Sequence, residues 1–182
     1  MITIIQDTRE KENKKNHILS YLERENVNVV RSKLFVGDYC LIHDMTTVVD
    51  IKESIMEIQQ NLMNAQKHKA FRDECDRAYK NGIKLYVLIE ESGIKDIDDV
   101  KNYEIPKYKS NGYKRVKGKT TLTHYKGQPM AKFDPNTLSK TMKTFQERHH
   151  CTFLFCDKKD SGRLILFLLT RNKGDKNNVK DR

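Results

Sequence analysis

Lys84-Leu85-Tyr86-Val87-Leu88-Ile89-Glu90 is an almost unbroken apolar run. A strand with one wet face alternates apolar and polar residues, whereas a run this continuous belongs at the centre of a sheet covered on both faces. The rest of the chain must therefore supply layers above and below it. A helical stretch from Ser54 to about Asn81, with Ile55, Ile58, Leu62, Ala65, Phe71, Cys75 and Ala78 as its apolar positions, is predicted just upstream, with Gly82 as its C-terminal cap. Further strands are expected at Ile2–Ile5, Val27–Leu34, Tyr39–Ile42, Thr47–Lys52 and Cys151–Cys156. His43 to Thr46 reads as a hairpin loop. Helices are expected after Asp7-Thr8-Arg9-Glu10 to about Asn26, from Asp134-Pro135 to about Arg148, and over Ser161–Thr170. Strands alternating with helices around one antiparallel hairpin predict an α/β class with a mixed central β-sheet flanked by helices. At 182 residues the chain suits one domain, with 171–182 as a disordered basic tail.

The charge is unevenly placed. Of a formal net +10, much lies between Lys101 and Lys132, where nine Lys/Arg meet one acid, Glu104. Gly112, Gly118, Gly127, Pro106 and Pro129 make that stretch mostly loop, with room for a hairpin. Two readings stay open: contact with a polyanion such as nucleic acid, or a solvated loop. No apolar stretch reaches the roughly 18 residues a membrane span needs. No leader-like start is visible either, so no membrane association and a cytoplasmic location are expected. Cys40, Cys75, Cys151 and Cys156 lack zinc-ligand spacing and read as reduced thiols. His149-His150-Cys151 reads as a helix end. No glycine-rich phosphate loop is present.

Chemistry concentrates in Val36-Gly37-Asp38-Tyr39 and Val49-Asp50-Ile51-Lys52. Carboxylates avoid strand interiors, and buried ones are mainly paired or hold a metal. Asp50 and Lys52, at i and i+2, share a face of their strand. If Ile42 pairs with Thr47, Asp38 falls opposite Ile51, away from Asp50. A one-residue irregularity, for which Gly37 is a natural place, would bring the two acids together. Asp38, Asp50 and the Ile51 carbonyl could then hold Mg²⁺ at about 2.0–2.1 Å. Lys52 would orient a nucleophilic water or stabilise charge on phosphorus, which suits phosphodiester hydrolysis. The plainer alternative is a turn aspartate and a surface ion pair. Asp7-Thr8-Arg9-Glu10 reads as a helix cap, yet an acid directly after a buried strand could reach a shared metal, and Arg9 a phosphate.

Taken in order, Asp7-Thr8-Arg9-Glu10, Gly37-Asp38 and Asp50-Ile51-Lys52 resemble the D-x-R-E, G-D and E-R-K-x-x-x-D motifs of the XPF-type structure-specific nucleases. These belong to the PD-(D/E)-x-K superfamily, of which small single-domain members occur in phages and bacteria. Phe71–Ala78 running into Gly82–Glu90, and Pro135–Leu169, are similar to that family's helix-to-strand passage and its closing helix–strand–helix. The likeness spans nearly all of 1–170, with 101–132 as a basic insertion. It implies a restriction-endonuclease-like core and an Mg²⁺-dependent endonuclease, with Mn²⁺ able to substitute, acting on branched or flapped DNA in recombination, repair or replication. Asp7, Asp38, Asp50 and the Ile51 carbonyl would bind metal, and Arg9, Asp38, Asp50 and Lys52 would carry catalysis. A Holliday-junction resolvase and a catalytically silent DNA-binding subunit are the competing readings. The chain departs from the pattern at Asp50, where the family has glutamate, and at Ile51, where it has arginine. The closing aspartate falls at Met56, with Glu57 one residue on. No tandem helix-hairpin-helix module follows, so DNA contact is expected from Lys107, Lys109, Tyr113, Lys114, Arg115, Lys117, Lys119 and Lys126. The tyrosines there would stack on bases and the lysines follow the backbone. Relatives pair through their closing helices, so a homodimer through 135–150 and 161–170 is a further expectation.

Overall fold

A computed structural model describes residues 1–9, 15–105 and 132–171, together with the backbone of 112–115 and 122–125. In chain order the elements are β1 (Thr3–Gln6), α1 (Asn16–Arg24), β2 (Asn28–Arg31), β3 (Tyr39–Leu41) and β4 (Asp44–Lys52). Then come α2 (Ile55–Met63), α3 (Ala65–Lys80), β5 (Lys84–Glu90), β6 (Gly112–Arg115), β7 (Leu122–Tyr125), α4 (Pro135–His149), β8 (Cys151–Cys156) and α5 (Ser161–Thr170). One mixed sheet has the order β2-β1-β3-β4-β5-β8, while β6 and β7 form a separate antiparallel pair. β3 runs antiparallel to both β1 and β4, and β4, β5 and β8 are parallel. The expected α/β class with a mixed sheet between helices is the observed one.

The β5 run does what its composition demands. Leu85, Val87 and Ile89 face a core built with Ile55, Ile58, Phe71, Cys75, Leu138, Met142 and Phe145, from α2, α3 and α4. Tyr86 and Leu88 face the opposite core, with Ile18 and Leu22 of α1 and Ile165, Leu168 and Leu169 of α5. Cys151 and Cys156, five residues apart on one strand, join opposite cores as period 2 requires. All four thiols are free, and burial pushes Cys40 up to about 11, which leaves it protonated and inert. No helix among the described residues is long and apolar enough to cross a membrane.

Several boundaries differ from expectation, each for a local reason. The long helix expected from Ser54 to Asn81 is two helices, because the Asn64 side chain accepts from Gln66 N and Lys67 N and starts a new one. Gly82 follows at φ +67°, the left-handed value a helix terminus favours. The second strand stops at Arg31 rather than Leu34, since the Leu34 N–H and carbonyl are taken by Asp7 and Arg9. The hairpin turn is Ile42–His43, tighter than the expected His43–Thr46 loop, and β4 correspondingly starts at Asp44. α1 starts at Asn16 with no side-chain cap, so Thr8 does not cap it. Glu10 and 172–182, the expected tail, lie outside the described residues.

Candidate active site

β1, β3 and β4 bring the acids of the sequence motifs together. Tyr39 pairs with Val49 and Cys40 with Val48, so the register carried one step further sets Asp38 beside Asp50. This is the register that a shared site requires. The irregularity producing it lies between Cys40 and Leu41, not at Gly37 as the sequence suggested: Leu41 already pairs with Asp44, and β4 passes three residues before pairing resumes at Val48. Gly37 has a different task. It sits at φ +63°, and a Cβ there would lie 2.5 Å from Val48 Cγ1, so this turn admits only glycine.

Hydrogen bonds fasten Asp38 on three sides. Its N–H donates to the Val49 carbonyl (2.9 Å), its carbonyl accepts from Asp7 N (2.8 Å), and its Oδ2 accepts from Ile51 N (2.8 Å). The Asp38 carboxylate thus lies against the peptide that follows Asp50. Asp50 and Lys52 share the face of β4 that carries Val48, and both are buried. Lys52 Nζ stands 2.7 Å from Asp50 Oδ2 and 5.4 Å from the Phe71 ring centroid. Asp50 Oδ2 is buried, and this ion pair is the partner that holds it. Burial works against the Lys52 charge, but Asp50, Asp38 and Glu57 outweigh it and hold the ammonium well above its ordinary value. The acids around it thus favour the ammonium form of Lys52.

Asp7 has no exposure, and its carboxylate accepts four N–H groups. Oδ1 takes Arg9 N (2.6 Å) and Nε (2.9 Å), while Oδ2 takes Arg9 Nη2 (2.9 Å) and Leu34 N (2.7 Å). Burial would raise this carboxyl, yet the bonds from Arg9 and Leu34 prevail and keep it below the usual carboxylate range. The Arg9 side chain is 55 % exposed and free to meet solvent on its outer side. Among the described residues no three His, Cys, Asp or Glu side chains form a ready metal cluster. The donor set available is two carboxylates and the Ile51 carbonyl. These are hard oxygens that suit Mg²⁺ completed by water.

Sequence reasoning missed one acid here, Glu74. Glu74 Oε1 accepts from Gly37 N (2.9 Å) and bears electrostatically on Arg9, so α3 clamps the turn that presents Asp38. The signal was present: Phe71, Cys75 and Ala78 are the buried stripe of α3, and Glu74 is an acid at that stripe's spacing. Glu57, not Met56, is the acid felt by Lys52, and it also accepts from Glu53 N (2.8 Å). Glu74→Ala is expected to lower stability by about 1–3 kcal/mol, because it strands the Gly37 N–H. Glu74→Gln, which retains an acceptor oxygen, should recover most of that loss. Urea denaturation of the two variants checks this, and equal stabilities would remove the clamp.

Of the residues expected to meet DNA, Lys107, Lys109, Lys117, Lys119 and Lys126 lie outside the described residues, as do the side chains of Tyr113, Lys114 and Arg115. His149 pairs with Asp76 (2.8 Å), and His150 ends α4 at φ 53° while stacking on Tyr79, which makes the pair a helix end as read.

A family model described as the ERCC4 domain matches residues 6–168. No curated protein sequence matches the chain. Among solved structures, XPF from Aeropyrum pernix is similar, with a TM-score of 0.59 and 16 % identity over 98 % of this chain and 68 % of that one. XPF from Aeropyrum pernix in complex with DNA is likewise similar, at TM-score 0.59 and 17 % identity over 100 % of this chain and 68 % of that one. At such identity the likeness is one of fold.

Proposed function

We propose that this chain, which belongs to the ERCC4 domain family, is a divalent-metal-dependent endonuclease that hydrolyses phosphodiester bonds in branched or flapped DNA. The observation that carries this reading is the meeting of Asp38, Asp50 and Lys52, with Asp50 Oδ2 buried and held by the Lys52 ammonium. Burying an acid and a lysine beside a second acid costs solvation, and such charged clusters gather at functional sites. Asp38, Asp50 and the Ile51 carbonyl would hold Mg²⁺, or Mn²⁺ in its place, which when bound polarises the scissile phosphate and lowers the pKa of a coordinated water.

The protein's own groups do the rest. Lys52, whose ammonium the neighbouring acids favour, stabilises negative charge accumulating on the phosphoryl oxygens. Arg9, steadied on Asp7 and half-exposed, contacts a neighbouring phosphate. Asp7 has its four donors already, so it orients Arg9 and joins the metal set only by releasing them. The basic stretch from Lys107 to Lys126 follows the DNA backbone, as its charge suggests. A DNA complex of a similar structure supports DNA as the ligand. Pairing of two copies through α4 and α5 is part of the proposal, with Phe167 exposed on α5 as its apolar contribution.

The test is a panel of end-labelled flap, fork, four-way junction and linear duplex DNAs, incubated with Mg²⁺, with Mn²⁺ or with chelator. Metal-dependent cutting of flap or fork substrates is expected. Cutting of junctions alone would assign a resolvase. Binding without cutting under every metal would assign a catalytically silent DNA-binding subunit, the reading that Ile51 in place of the family's arginine favours.

A further inference from the structure

We infer that Phe35 is a base-stacking residue that selects an unpaired nucleotide beside the scissile phosphate. The inference rests on the nuclease reading for its substrate and adds a specificity determinant to it. Leu34 and Val36 are buried, at 6 % and 1 % exposure, while Phe35 between them is 59 % exposed. The backbone on both sides of Phe35 is pinned. Ser32 N donates to the Gln6 carbonyl (3.0 Å), Leu34 N to Asp7 Oδ2 (2.7 Å), and Gly37 N to Glu74 Oε1 (2.9 Å). Arg9 Nη2 holds the Leu34 carbonyl (3.3 Å). Two of these anchors, Asp7 and Arg9, are residues of the site itself. A large apolar ring held rigidly in water costs solvation and contributes nothing to the core, so its value lies in what it meets.

Position and charge say what that is. Phe35 precedes Asp38 by three residues, a chain reach of at most about 10 Å. That is the scale of three bases spaced at about 3.4 Å along one strand. The Arg77 guanidinium lies 5.9 Å from the ring centroid, and Lys33, two residues before, is exposed. Arg77 thus lies by the ring, while Lys33 and the half-exposed Arg9 belong to the same loop and its anchor. A protein partner seated on one phenylalanine would gain little from such a rim, whereas a nucleic-acid strand offers both a base for the ring and phosphates for the cations. Bases inside a duplex are already stacked, so the ring has a partner only where the strand is unpaired. The other phenylalanine more than half exposed among the described residues, Phe167, lies on α5, across the sheet from Asp50.

The chain contains no tryptophan, so Phe35→Trp introduces a single tryptophan, excited at wavelengths the tyrosines do not absorb. Placed in an Asp50→Asn background to prevent cutting, it should lose at least half its emission on saturation with a flapped DNA. It should keep its emission with a blunt duplex, saturation being set independently by anisotropy of labelled DNA. Phe35→Ala should weaken binding of flapped DNA about 5- to 150-fold and leave blunt-duplex binding unaltered, with Phe35→Trp restoring the affinity. Unquenched emission in saturated flap complexes, equal quenching by blunt duplex, or full flap affinity in Phe35→Ala would each overturn the assignment. DNA that binds and quenches but is never cut by the protein with Asp50 intact would remove the catalytic reading and leave the stacking role standing. No binding of any DNA would remove both.

Discussion

Asp50→Asn will reduce metal-dependent cleavage by about 10²–10³-fold or more, the scale on which a single electrostatic stabiliser acts in an active site, while DNA affinity stays near that of the parent. The substitution keeps volume and shape and removes one negative charge, from the residue whose Oδ2 is buried and held by the Lys52 ammonium. An amide there is a weaker metal ligand and offers a donor where an acceptor is needed. The fold should survive. Lys52 loses its partner at 2.7 Å but keeps Asp38 and Glu57 as counter-charges. The cost therefore falls short of the about 3–5 kcal/mol that accompanies a buried ion left wholly unpaired. Single-turnover cleavage of a flap substrate, run beside urea denaturation and DNA anisotropy, separates these effects. Parental cleavage rates in the variant would sink the metal-ligand role of Asp50. Loss of folding in step with loss of cleavage would mean that the Asp50–Lys52 pair is structural.

How far the sequence spoke for itself depends on which physical quantity carried the information. Composition sufficed for β5, because a five-residue apolar stretch has few stable positions other than a covered central strand. The order of short motifs sufficed to single out Asp38, Asp50 and Lys52 as candidates, and β4's period of two puts the latter pair on one face whatever else happens. Register was not legible. It depends on where β4 lets three residues pass unpaired, and no glycine or proline marks Cys40–Leu41 for that. The break at Asn64 was readable in principle, as asparagine is a strong N-cap, but the continuous apolar stripe around it suggested one helix. Asp7 is the instructive case. The motif identified the residue and the β1 end placed it, yet its partner at Leu34 N comes from a loop 27 positions away in the chain, a contact no local pattern encodes.

That partnership makes Asp7 a stability determinant as well as a candidate site residue. Asp7→Asn is expected to lower unfolding free energy at neutral pH by about 2–4 kcal/mol, somewhat below the about 3–5 kcal/mol of breaking a fully buried pair, because the Arg9 side chain is half in water. An amide cannot accept on both sides. Its nitrogen would face either Leu34 N or the Arg9 fork, donor against donor, in a position with no solvent access. The pH dependence follows from the same bonds. Arg9 and Leu34 hold the folded Asp7 carboxyl below its unfolded value. Its contribution is then complete above the unfolded pKa of about 3.9 and disappears as pH falls through the lower folded value. The stability gap between parent and Asp7→Asn should accordingly be constant from neutral pH down to about 5 and shrink below about 4. Urea unfolding at a series of pH values measures that gap directly. A gap that is absent at pH 7 would show that the four N–H donors contribute nothing net. One that widens on acidification would show that Asp7 is protonated more readily in the folded chain than in the unfolded one, the reverse of what its hydrogen bonds require.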